Sequence, residues 1–149
     1  MKLNSVLGGL VILTAFVFSS CNKDTIRWSY SGDWYLYQIS SMSGELSPYV
    51  ESVIDYYPDD ESMDMIIYQA RMPTGQKRIE LKGIPLKSTS STGNCSFYGE
   101  NVVLHGTSEI ANKVEISAKK GRLRVRISLD DYSIKYTADD GTSDIEGES

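Results

Sequence analysis

NKVEISAKKGRLRVRISL, residues 112–129, decides the fold. Val114, Ile116 and Ala118 alternate with Glu115, Ser117 and Lys119, and Leu123, Val125, Ile127 and Leu129 alternate with Arg122, Arg124 and Arg126. An apolar period of two places one face of a strand on a core and the other in water. A two-residue turn at Lys120-Gly121 pairs Ala118 with Leu123, Ile116 with Val125 and Val114 with Ile127 on a single face. Gly121 supplies the positive φ that such a hairpin turn requires. The opposite face sets Glu115 across from Arg126, an attractive cross-strand pair of roughly 0.2–1 kcal/mol. Slipping the register by one residue would drive arginines in among the aliphatics, so the register is strongly specified.

The same pattern recurs outward from this hairpin. WYLYQIS (34–40), YVESVIDYY (49–57), MDMIIYQARM (63–72) and KRIELKGI (77–84) read as strands upstream. NCSFYG (94–99) and NVVLH (101–105) follow, and YSIKYT (132–137) closes the series. Tyr, Val and Ile enrichment supports each assignment, and no window holds helical spacing over three turns. Eight or nine short strands with short links predict an all-β fold, a small antiparallel up-and-down β-barrel of about eight strands. The chain of 149 residues suits one such domain, expected over 32–137.

The flanks differ in character. Residues 1–20 combine Lys2, an apolar run over 6–18 and the small pair Ser19-Ser20, the three parts of a secretory signal. An apolar run of that length is shorter than the ~20 residues a membrane-spanning helix needs. Phe18-Ser19-Ser20-Cys21 resembles the lipobox of bacterial lipoproteins, with Phe18 standing where Leu, Val or Ile is usual. The resemblance implies acylation of the Cys21 thiol, cleavage before it, and a membrane partner reached through covalent lipid. Residues 21–31 then read as a lipidated tether. Residues 138–149 carry five acidic side chains, no basic one and only Ile145 as a sizeable apolar group, a composition that predicts a disordered acidic tail. Loss of Lys2 with the signal moves the formal charge from −5 to −6, which argues against a nucleic-acid partner. Cys95 remains the one thiol not used for lipid, so no intramolecular disulfide forms, and its small and aromatic neighbours predict a buried, inert side chain.

A family likeness emerges at Gly32-Asp33-Trp34, which opens the first strand of the domain and resembles the G-x-W signature of lipocalins and other calycins. The resemblance implies a Trp that closes one end of a barrel and packs on an Arg from a late strand, for which Arg122, Arg124 and Arg126 are the candidates. Together with the lipobox, IELKGIPL (79–86) and the hairpin at 121–127, the chain looks like the calycin-like lipoproteins of Bacteroidota. That resemblance implies an envelope location at the outer membrane, on its periplasmic leaflet or at the cell surface. Asp24-Thr25-Ile26 matches the short pattern such bacteria O-glycosylate, which nominates Thr25.

Chemistry-bearing constellations are sparse. His105 is the single histidine and sits at a strand end before a glycine, where solvent exposure is the expectation. After lipidation, one Cys and one His cannot furnish the four N/S ligands of a structural zinc site. The acidic run at 59–64 fails as an EF-hand, because Met65 falls where glycine must turn the loop and Arg71 where a bidentate Glu belongs. A charged hairpin loop is its reading. No metal and no cofactor is expected, and no enzyme. Lys119, Lys120, Arg122, Arg124 and Arg126 form a basic stripe suited to anionic headgroups or acidic glycans. Tyr35 and Tyr37 face away from Trp34 and Leu36, and with Tyr56 they either line a ligand or stack on a surface partner. Two functions follow. One is binding of a small amphipathic or hydrophobic ligand in the barrel mouth. The other is an interaction module with a filled core that meets a protein or glycan through surface aromatic and basic residues.

Overall fold

The structure, a computed structural model, describes residues 24–139. Eight strands run in chain order: β1 (Ile26–Gln38), β2 (Ser43–Tyr57), β3 (Ser62–Met72), β4 (Gly75–Thr89), β5 (Cys95–Val103), β6 (Ile110–Lys119), β7 (Arg122–Ser128) and β8 (Tyr132–Asp139). Each pairs antiparallel with its sequence neighbours, and β1 pairs with β8, so the sheet closes into an up-and-down barrel. Closure removes the exposed sheet edges that an open sheet of this size would present.

The β6–β7 hairpin has the register expected from its alternation. Ala118 stands opposite Leu123, Ile116 opposite Val125, Val114 opposite Ile127 and Glu115 opposite Arg126. Gly121 turns the chain at φ +89°. The inward set of both strands is buried and the outward set exposed or half-buried. No ion pair joins Glu115 to Arg126 among the described residues. Holding two long exposed side chains together costs conformational entropy that a screened attraction barely offsets.

Boundaries differ in three places, each for a local reason. β1 begins at Ile26, inside the segment read as a tether, because Trp28 and Tyr30 continue the inward alternation of Trp34 and Leu36. Arg27 then clamps Asp55 of β2 through Nε–Oδ1 at 2.7 Å and Nη2–Oδ2 at 2.9 Å. Residues 94–99 and 101–105, read as two strands, form the single strand β5. Asn101 takes φ +53° without shifting the ladder, which passes from Glu100↔Lys113 to Val102↔Ala111. β8 reaches Asp139 with Ala138 buried, so two residues assigned to the tail belong to the barrel. The remainder of that segment, residues 140–149, lies outside the described residues.

The ladders are uneven. Between β3 and β4 the register slips near Met63 and Met65, leaving Lys82 and Gly83 opposite Asp64. Gly83 adopts φ +64° there, and the Asp64 carboxylate accepts its N–H at 2.8 Å and the Tyr57 hydroxyl at 3.3 Å. The acidic run therefore closes a bulge at its strand end, and its first part forms a one-turn 3₁₀ helix, Pro58–Asp60. β4 and β5 share only the pairs Leu86↔Phe97, Ser88↔Ser96 and Thr89↔Cys95, with a separate bridge between Glu80 and His105. That bridge is main chain in both directions, at 2.9 and 3.0 Å, and the His105 side chain is exposed.

The interior is occupied by side chains. Trp34, Tyr30, Tyr136, Phe97, Met63, Met65 and a shell of Ile, Leu and Val are almost fully buried. Their hydroxyls and indole are satisfied within the protein. Tyr30 donates to the Lys119 carbonyl at 2.7 Å, Trp34 to the Arg71 carbonyl at 2.8 Å, and Tyr136 to the Val50 carbonyl while sharing a bond with buried Ser52 at 3.0 Å. Burial with donors already committed is the state of a finished core.

Candidate functional site

Alternation along β1 turns Trp34 and Leu36 inward and Tyr35 and Tyr37 outward. Gly32 is required by close approach: a Cβ there would strike the Thr137 carbonyl and Ala138 of β8. The G-x-W triplet thus sits where the barrel closes on itself. Its tryptophan meets no late-strand arginine. Arg122, Arg124 and Arg126 are all exposed on the outer face, because they occupy the outward positions of β7. Trp34 packs instead on the ring of Tyr136 in β8, with centroids 5.7 Å apart, and bonds to the main chain of Arg71 in β3.

Tyr56, nominated with Tyr35 and Tyr37, points the other way. It is buried between Trp28, stacked at 6.2 Å, and Phe97, met edge-on at 5.4 Å. Desolvation pushes its hydroxyl pKa up, as burial does for the thiol of neighbouring Cys95. Tyr56 is core, and Cys95 is a buried free cysteine in contact with it. Thr25 is exposed just ahead of β1. Cys21 lies outside the described residues. Among those residues no group of three His, Cys, Asp or Glu side chains stands together as metal ligands do.

A sizeable cavity among the described residues lies on the outside of the barrel. A groove of about 680 Å³ crosses the outer face of β5–β8, lined by Lys87, Tyr98, Glu115, Arg124, Arg126, Lys135 and the small polar side chains between them. Four of these side chains are cationic against one carboxylate. None of Arg124, Arg126 and Lys135 makes an ion pair among the described residues. Lys87 stands over the Tyr98 ring, 5.7 Å from its centroid, and the Tyr98 hydroxyl donates to Glu100 at 2.6 Å. Of the three arginines nominated from sequence, Arg124 and Arg126 line the groove. Arg122, opposite Lys119 and Asp139, stands beyond its rim.

Lys87 and Lys135 were not legible as members of this set. Lys135 reaches it through the β7–β8 register, which puts it opposite Arg126. A derivation of that second hairpin, of the kind made for the first, would have found it. Lys87 lies two residues after Pro85 in β4, whose ladder with β5 is irregular, and no sequence signal connects it to β7.

The groove continues into aromatic surface. Strand register lines up Tyr98, Glu115, Arg126, Lys135, Tyr35 and Leu46 as one row across β5, β6, β7, β8, β1 and β2. Tyr35 leans over Gly44, where a Cβ would collide with its ring, and stacks on Tyr37 at 6.5 Å. Beyond it, Leu46 and Tyr49 are more than half exposed, Tyr49 with φ +59° at the β1–β2 bulge.

No protein-family model matches the chain, and no curated protein and no solved structure shows a significant similarity to it. The fold and its surface therefore carry the functional argument by themselves.

Proposed function

We propose that the protein is an envelope interaction module: a calycin-like lipoprotein of the Bacteroidota type, held to the outer membrane by lipid on Cys21, that binds a partner on its outer face. It acts by binding and not by turnover. The observation that carries this reading is the contrast between interior and exterior. The barrel is filled by Trp34, Tyr30, Tyr136 and Phe97, whereas the outer face of β5–β8 holds an open groove whose Arg124, Arg126 and Lys135 make no ion pair among the described residues. A ligand site inside the barrel needs free polar groups to orient its guest. The interior hydroxyls of Tyr30 and Tyr136 are engaged at Lys119, Val50 and Ser52. Exposed guanidinium and ammonium groups in a concavity favour a negatively charged partner, recognised by charge-assisted hydrogen bonds.

Native mass spectrometry of the domain purified from its own host tests the reading, together with uptake of a fluorescent fatty acid. The expected outcome is the bare protein mass and no fluorescence gain. A retained lipid adduct that fills the barrel would overturn it in favour of a carrier.

A further inference from the structure

Resting on that reading, we propose that the groove and its aromatic margin form a site for an acidic glycan, a saccharide bearing uronate carboxylates. Three features of the outer face converge on that class. Arg126 and Lys135 are adjacent in register, one per strand, and neither makes an ion pair among the described residues. Tyr35 is the next residue in the same row, opposite Lys135 across the β1–β8 seam. It lies over Gly44, so its ring is held against the sheet with 39% of the residue exposed.

Strands are spaced about 4.8 Å apart, so Arg126 and Tyr35 lie roughly 10 Å apart across the sheet. A short run of pyranose rings laid across the strands fits that span. One ring stacks its C–H face on Tyr35. The carboxylate of its neighbour takes the Lys135 ammonium and the Arg126 fork, a geometry guanidinium groups match bidentately.

Other anionic partners fit less well. An acidic peptide has carboxylates for the cations but no flat face for Tyr35. A lipid headgroup is poorly placed, since Tyr35 lies nine residues along β1 from Ile26, about 30 Å of strand from the end nearest Cys21.

The test is titration calorimetry of the full chain in detergent against an oligogalacturonate, its neutral methyl ester, polyglutamate and phosphatidylglycerol vesicles. The oligogalacturonate is expected to bind, more weakly as salt rises, and the methyl ester at least tenfold less tightly. Arg126→Gln and Lys135→Gln are each expected to weaken binding roughly tenfold or more. Tyr35→Ala should weaken it roughly two- to tenfold, and Gly44→Ala should do the same by displacing the ring while keeping it. Near-UV circular dichroism checks that each variant is folded. Polyglutamate binding as tightly as oligogalacturonate, with Tyr35→Ala without effect, would overturn the glycan and leave the basic docking face standing. Vesicle binding lost in Arg126→Gln, with no oligogalacturonate binding, would likewise replace the glycan by a headgroup. Absence of binding to any of these, with a fatty-acid adduct in the barrel, would overturn both readings together.

Discussion

The indole of Trp34 on β1 donates its N–H to the main-chain carbonyl of Arg71 on β3, 2.8 Å away. The β2–β3 ladder ends at Ser52↔Ile67, and four residues further along β3 this side chain reaches across to supply a bond. The same ring packs on Tyr136 of β8, so one residue ties the first, third and last strands. That is a structural reason for a tryptophan at this position, independent of any late-strand arginine.

Trp34→Phe keeps most of the ring and removes the donor. It is expected to cost about 1–3 kcal/mol, the penalty for a buried acceptor left unbonded. Trp34→Ala adds a cavity and should cost about 3–5 kcal/mol. Urea unfolding followed by far-UV circular dichroism measures both. A phenylalanine variant as stable as the parent would show that the Arg71 bond contributes nothing.

Asp64 separates a structural carboxylate from a calcium ligand. Its two bonds, to the Gly83 N–H and the Tyr57 hydroxyl, close the β3–β4 bulge. Asp64→Ala is therefore expected to destabilise the barrel by about 1–3 kcal/mol. Millimolar calcium should leave the melting temperature of both parent and variant unchanged. A calcium-dependent rise in the parent that vanishes in the variant would restore a metal role to the loop at 59–64.

The barrel was legible in sequence because its dominant signal is local. In 112–129 the alternation, the glycine turn and the opposed charges all point to one register, and the structure has it. Segment 26–31 was harder, since Arg27 and Ser29 make it look like a polar tether unless Trp28 and Tyr30 are read as inward. The binding face was half legible. Arg124 and Arg126 share a strand with the decisive hairpin, but their neighbours in space come from β4, β8 and β1. Such neighbours are set by which strands the closed sheet brings side by side and by slips in the ladder, information that no single window contains. That Trp28 and Phe97 would enclose Tyr56 was not legible for a related reason, since both rings come from other strands.

The anchor reading makes its own prediction. Cys21→Ala removes the thiol that would carry lipid, so the variant should lose membrane association and remain unprocessed by the lipoprotein signal peptidase. Labelling with a radioactive fatty acid and membrane fractionation read the two effects separately. A variant that is cleaved and fractionates like the parent would sink the lipobox assignment. The barrel would fold in either case, because its first strand begins only at Ile26.

Tyr136 predicts how stability falls in alkali. Burial pushes its pKa up to about 12, against the ordinary 10.0, and the hydrogen bond with Ser52 only partly opposes this. Between those values the unfolded chain has released the phenolic proton and the folded chain has kept it. The folded state then binds more protons, so its stability decreases as pH rises. Below pH 10 the contribution of this group is intact. Across pH 10–12 it is lost, by roughly 2–3 kcal/mol for a shift of about two units. Tyr136→Phe removes the titrating group while keeping the ring. Its unfolding free energy at pH 7 should be lower, since the bonds to Val50 and Ser52 are gone. Its decline between pH 10 and 12 should nevertheless be shallower than the parent's. Every other ionisable group is common to both proteins, so the difference in slope isolates this residue. Urea unfolding at pH 9, 10.5 and 12 supplies the comparison, and parallel slopes would mean that the phenol of Tyr136 ionises in the fold as readily as in water.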